Sequence, residues 1–214
     1  MSAGPGVFLP RLVAVLVTVL GLAIWWQATL GLRSFTWESH RRLAVADQPR
    51  PMPSLDLQVQ DGRRLSSAEL RGRVLVVNFI YTRCTSICRY SGAQFGQLMT
   101  AIRQKGRRGR VQLLSLSLDP DYDTPARLLA YRQRYRDPGE PGWLVARVLD
   151  GSQQRRLLSA FGVVSLPDGL GGIKHNAAAH IVDARGRLVA ILDEGERAAI
   201  LRTVDRLLAG EANG

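Results

Sequence analysis

Cysteine and histidine are the residue types in this chain best suited to hold a soft metal or exchange electrons. Cys84 and Cys88 are its only cysteines, and they lie four apart in Thr82-Arg83-Cys84-Thr85-Ser86-Ile87-Cys88. Of the three histidines, His175 closes a glycine-rich stretch, His180 follows five residues later, and His40 lies far upstream and reads as incidental. Two sulfurs and an imidazole suit copper and, less well, zinc. Both sulfurs reach one ion if the turn between them folds back. Three chemistries are open to the cysteine pair: a metal site, dithiol–disulfide exchange, or a peroxidatic thiol. The usual exchange motif has two residues between its cysteines rather than three, and neither cysteine is marked as a peroxidatic nucleophile. A histidine in a loop is often a solvated surface residue, so spacing alone leaves the ligand set open. Two cysteines are too few to staple a domain of this size, which favours chemistry over structural bridging.

The elements that must position these residues are legible around them. Val74–Ile80 is a run rich in β-branched residues with one polar interruption, Asn78, and predicts a buried strand. Tyr81–Ser86 is a turn, and Tyr90–Lys105 carries Phe95, Leu98, Met99 and Ile102 at a helical period. The cysteines therefore fall where a core strand hands over to a helix. Unpaired backbone N–H groups and the positive helix end favour thiolate there. Val111–Leu118 predicts a second buried strand. Thr124 and Pro125 open a helix running over Ala126–Tyr135. Asp137–Gly142 is a turn, Trp143–Leu149 a third strand and Gln153–Phe161 a short helix stopped near Gly162. Val163–Asn176 reads as a loop that brings in His175. Ala178–Val182 and Leu188–Leu192 pair across a turn at Gly186, and Glu194–Ala209 closes the chain as an amphipathic helix. Upstream, Leu55–Val59 and Arg64–Leu65 form a small hairpin, followed by a capping box from Ser66 to Glu69. Strands alternating with helices predict an α/β domain with a central sheet covered on both faces. The thiols then sit at the carboxyl end of a central strand, where open α/β sheets place their chemistry.

The first fifty residues differ in character. Leu12–Trp26 is apolar except for Thr18 and Gly21, and extending it to Leu32 gives enough helix to cross a bilayer. Trp25 and Trp26 read as interfacial anchors. No small-x-small cleavage site follows directly, which favours an uncleaved anchor over a signal peptide. The expected organisation is an anchor over 1–32, a stalk over 33–52 and one domain over 53–210. The basic residues around the anchor do not fix its orientation. The formal charge is +11, but the arginines are scattered. The run from Lys105 to Arg110 reads as a solvated loop, and no motif supports nucleic-acid binding.

Three motifs in order carry a resemblance. They are Phe79-Ile80-Tyr81-Thr82-Arg83-Cys84 through Cys88, Ser117 through Pro125 with its Asp119-Pro120 step, and His175 shortly before the last hairpin. Together they resemble the Sco/SenC family of thioredoxin-fold copper proteins, over roughly Pro53–Leu208. The resemblance implies a thioredoxin-like sheet and an N-terminal transmembrane helix. It implies copper, as Cu(I), Cu(II) or both, held by Cys84, Cys88 and His175, with Asp119 as a carboxylate near the site. It places the soluble domain on the outer, periplasmic face of a bacterial inner membrane. The implied role is assembly of the copper centre of cytochrome c oxidase, with that subunit or another copper carrier as partner. A tethered thiol–disulfide oxidoreductase, with Cys84 and Cys88 as its catalytic pair, is the alternative. The chain departs from the family pattern in three places. Thr85 and Arg89 stand where prolines are frequent after each cysteine, and His180 stands where an aromatic residue is usual; at strand period it reads first as a core residue, and otherwise as a hydrogen-bonding neighbour of the site or an alternative ligand. A thioredoxin-like reductase ordinarily carries a cis-proline shortly before this strand, and Ala177–Ala179 has no proline, which weakens pure disulfide exchange.

Overall fold

The computed structural model describes residues 8–29, 31–84, 87–107, 109–135, 142–169 and 172–212. Thr85 and Ser86 of the expected cysteine turn, Arg108 of the basic run, most of the turn before the third strand, and Leu170 and Gly171 of the glycine-rich stretch lie outside them. The chain divides into two units, Met1–Ala44 and Val45–Gly214.

In the first unit, helix α1 spans Phe8–Ala28. Its 20 residues from Leu9 onward have a mean hydropathy of 1.9 and no side chain buried in the protein, so it is long and apolar enough to cross a bilayer. The region expected to be a featureless stalk instead contains helix α2, Trp37–Asp47. It lacks an apolar stripe and is held by Glu38, which accepts from Arg41 Nη2 and Arg42 Nε, both at 2.8 Å. Burial alone opposes ionisation of Glu38. The two arginines outweigh it and bring the carboxyl down to about 2.

The second unit is an eight-stranded sheet. Its strands in chain order are β1 (Arg50–Pro51), β2 (Asp56–Val59), β3 (Arg64–Ser66), β4 (Val74–Ile80), β5 (Val111–Ser117), β6 (Trp143–Val148), β9 (Ala179–Val182) and β10 (Arg187–Leu192), with β7 (Ser165–Pro167) and β8 (Ile173–His175) forming a separate hairpin. Across the sheet the order is β1-β10-β9-β4-β5-β6-β2-β3. The helices are α3 (Ile87–Gln104), α4 (Pro125–Arg134), α5 (Gly151–Phe161) and α6 (Arg197–Ala212). β1 corrects the stalk again: Arg50 and Pro51 pair with Leu188 and Arg187 of β10. Val45 is already part of the core of this unit. The capping box forms as expected, with Ser66 N donating to Glu69 Oε1 at 2.7 Å.

Every residue of β4 and β5 is buried, as strands between two helical layers are, including the polar Asn78, Gln112, Ser115 and Ser117. The pleat divides their side chains. On one face Phe95 of α3 and Tyr131 of α4 pack on Trp143. On the other, Phe161 of α5 packs edge-on against Phe79, with ring centroids 5.8 Å apart. Asn78, the polar interruption in β4, accepts from Ser115 Oγ at 2.6 Å, and Ser115 Oγ accepts from Trp143 Nε1 at 3.0 Å. This chain of bonds fixes the register of three strands in the middle of the core.

Glu194 departs from its expected place as the first residue of the last helix. It lies buried before α6, where its carboxylate accepts from Ser91 Oγ of α3. Burial pushes this carboxyl up. Ser91 and the adjacent Asn78 amide offset only part of that rise, and Asp193 adds to it. The fold thus prefers the neutral acid. Its contribution to stability is full below the ordinary glutamate value of about 4.3 and is lost as pH rises through the raised folded value. Glu194→Gln is expected to remove this alkaline loss. Urea midpoints measured from about pH 4 upward test it, and an unchanged slope in the variant would refute the assignment.

Candidate metal centre

β4 ends at Ile80 and the chain turns sharply. Cys84 N donates to the Tyr81 carbonyl at 3.2 Å, and Cys84 is buried. The helix that follows begins earlier than its apolar periodicity indicated, at Ile87. Cys88 is therefore in the first turn of α3. Its side chain, like that of Arg89, lies outside the described residues.

β5 runs parallel to β4 with Ser117 opposite Ile80, so its exit loop leaves beside the cysteine turn. That loop carries Asp119 and Asp123. Asp119 accepts from Arg83 Nε at 3.1 Å and also from Arg83 Nη2. Arg83 in turn lies over the Tyr122 ring, 4.3 Å from its centroid. The carboxylate that holds the turn backbone is Asp123. It is fully buried and accepts from Thr82 N at 3.2 Å, Thr82 Oγ1 at 2.5 Å and Ser117 Oγ at 2.6 Å. Burial pushes its carboxyl up, while the hydroxyl and amide donors pull it partly back. The sequence singled out Asp119 and passed over Asp123. A polar residue two before a helix-opening proline looks like part of a cap, and Asp123 reaches its Thr82 partner across 41 positions.

His175 arrives from the other side. β9 is antiparallel to β4, with His180 opposite Val77, so the chain enters β9 at the end where β4 leaves. His175 precedes β9, and Cys84 follows β4. Both therefore lie at one end of the sheet. The expected irregular loop contains the β7–β8 hairpin, with Ser165 opposite His175. Asn176 fixes its base by accepting from Val164 N at 2.8 Å and donating to the Gly162 carbonyl at 3.0 Å. Both ring nitrogens of His175 are buried and have no hydrogen-bond partner among the described residues. Burial lowers the pKa of the ring, which favours the neutral imidazole that can bind a metal. A buried imidazole usually finds a partner, so these bare nitrogens fit a ligand still to be bound.

The hairpin and the cysteine turn also meet. A Cβ added at Gly172 would crowd Asp168 Oδ2 and lie 3.2 Å from Tyr81 Oη. Gly172 N donates to Asp168 Oδ1 at 2.8 Å, closing the hairpin. Gly172→Ala is expected to break this closure, shift the hairpin and weaken metal binding about tenfold, on the scale of a lost supporting contact. Competition titration of the variant checks this. Unchanged affinity would show that the hairpin tip does not position His175.

His180 is fully buried at the core, with ring centroids 5.4 Å from both Phe79 and Phe161. It occupies an aromatic slot in the sheet.

A family model described as SCO1/SenC matches residues 46–209. The chain belongs to this family. The SCO1 protein homolog of Bacillus subtilis strain 168 is 26% identical over 133 residues, covering 62% of this chain and 68% of that protein. Two solved structures share the fold. Bradyrhizobium japonicum ScoI with copper bound has a TM-score of 0.60 at 22% identity, covering 73% of this chain and 99% of that one. BsSco, a Sco-family cytochrome c oxidase assembly protein in which a disulfide switch was identified, has a TM-score of 0.65 at 22% identity, covering 75% and 94%. The resemblance carried by the three motifs is thereby borne out, as is the α/β architecture it implied. The SCO1/SenC match begins one residue after Val45, where the second structural unit starts.

Proposed function

We propose that this chain is a membrane-tethered copper carrier that holds one copper through Cys84, Cys88 and His175. The observation that carries the reading is the pair of buried nitrogens of His175, without a hydrogen-bond partner among the described residues, at the end of the sheet that also presents the cysteine turn. Soft thiolates suit Cu(I), and the added imidazole makes Cu(II) tolerable. Asp123 and Asn176 hold the two approaches to the site in place. Loading requires both thiols to lose their protons. Oxidation of the metal-free dithiol to a Cys84–Cys88 disulfide passes two electrons to a two-electron oxidant such as a partner disulfide and releases two protons, leaving neither sulfur able to bind metal, so redox state gates loading. Release proceeds by ligand exchange with thiol or thioether ligands of a partner. The family context favours the copper centre of cytochrome c oxidase, or another copper carrier, as that partner. By the same analogy α1 tethers the domain to the outer face of a bacterial inner membrane.

The test is copper titration of residues 45–214, reduced and handled without oxygen, against a competing Cu(I) chelator. One tight equivalent is expected, lost in both Cys84→Ser and Cys88→Ser. Absence of tight binding, or its survival in both variants, would overturn the reading. A second reading, thiol–disulfide exchange with a partner, draws on Cys88 being in the first turn of α3. A copper-free wild type with a readily cycled disulfide would favour it.

A further inference from the structure

We propose that residues 31–37 form an interfacial foot that lies in the headgroup layer of the bilayer. The proposal rests on reading α1 as a membrane anchor. α1 ends at Ala28, and the next residues are organised inside out for water. Two polar residues are turned in: Thr29 and Ser34 are buried, while Arg33 and Thr36 stay exposed. The apolar residues are turned out: Leu32 is 41% exposed, Phe35 70% and Trp37 74%. Three large apolar side chains exposed within six positions form a patch that water does not favour.

Hydrogen bonds hold this arrangement, so it is not a loose tail. Thr29 Oγ1 donates to the Trp25 carbonyl at 2.8 Å and accepts from Leu32 N at 3.1 Å. Arg33 N and Ser34 N both donate to the Thr29 carbonyl at 2.9 Å. Gly31 and Leu32 have φ of +69° and +65°, and Leu32 is the one non-glycine residue with positive φ among the described residues. A leucine held in that region costs energy, and here the cost turns its side chain outward. Thr36 and Ser39 then cap α2 reciprocally, with Thr36 N donating to Ser39 Oγ at 3.1 Å and Ser39 N to Thr36 Oγ1 at 3.0 Å. This cap fixes Phe35 and Trp37 on either side of it.

The occupant that fits is the lipid interface. The patch adjoins an apolar helix with Trp25 and Trp26 in its last turn. Tryptophan and phenylalanine prefer the boundary between headgroups and acyl chains. Exposed Arg33 has the length to keep its charge among headgroups while its neighbours sink. Helix α2 begins directly after the cap, at Trp37.

The full chain labelled with 5-fluorotryptophan and reconstituted in lipid nanodiscs tests this. It has four tryptophans, so its 19F spectrum has four sites, assigned by single Trp→Phe substitutions. Trp143 is fully buried and serves as the internal control. Lipid bearing a nitroxide at the headgroup is expected to broaden Trp37 together with Trp25 and Trp26. A soluble gadolinium chelate is expected to spare Trp37. Broadening of Trp37 by the chelate alone, with Trp25 and Trp26 still broadened by lipid, overturns the foot and leaves the anchor standing. Shielding of Trp37 from both agents means protein covers it, and also overturns the foot. If lipid broadens none of the three, the anchor reading fails and the foot with it.

Discussion

His175→Ala is expected to lower Cu(II) affinity by more than about 100-fold, since loss of a group that merely orients a ligand already costs 10- to 100-fold. Cu(I) affinity should fall less, because two thiolates alone satisfy a soft monovalent ion. The reduction potential of the Cys84–Cys88 pair should hardly move. Competition titrations in both oxidation states, with a thiol redox titration alongside, make the comparison. His175 is half-buried, and neither of its buried ring nitrogens is bonded among the described residues, so its removal breaks no internal hydrogen bond seen there. A large fall in affinity would therefore report ligation rather than a damaged fold. If Cu(II) affinity survives, the third ligand is some other group, and the bare nitrogens of His175 have another explanation.

Asp123→Ala should be the most damaging single change near the site that spares every proposed ligand. It strands three donors, Thr82 N and Thr82 Oγ1 in a half-buried place and Ser117 Oγ in a buried one. Unmet buried donors cost about 1–3 kcal/mol each at full effect. The carboxylate's own burial cost is relieved at the same time, so a net loss of about 3 kcal/mol is expected. For a chain of this size that lowers the melting temperature by roughly 6–12 °C. Copper affinity should fall about tenfold as well, because Thr82 begins the turn to Cys84. Asp123→Asn keeps an acceptor and should be milder on both measures. Thermal unfolding and copper competition on the three proteins decide it. An alanine variant as stable as the parent would mean that the two loops stand without this carboxylate.

The contrast between Cys84 and Asp123 shows what was legible in the sequence and why. The cysteine turn was readable because strand, turn and helix are consecutive, and each has its own periodic signal. The same holds for β4, β5 and the Ser66–Glu69 capping box, whose partners are three residues apart. Asp123 acts across 41 positions and Glu194 across 103, and no local pattern distinguishes either from a surface acid. α2 escaped notice because its support is one glutamate shared by two arginines rather than an apolar stripe. The β7–β8 hairpin escaped because its strands are three residues long and rich in glycine and proline nearby. His180 was readable as a core residue from its strand period. Its two aromatic neighbours, which come from β4 and α5, were not.

The two borders of the sheet bear on how such a protein meets others. One is β1, two residues long with Pro51 in it, and the other is β3, three residues long and opening on Arg64. A proline offers no amide hydrogen, and so short a strand offers a newcomer little to pair with. Recruitment of an extended segment onto either border is thereby discouraged. Self-association by strand addition, a standing risk for proteins concentrated in two dimensions, is discouraged in the same way. Encounters with this domain are left to its helices and loops, among them the turn that carries Cys84 and the β7–β8 hairpin that carries His175.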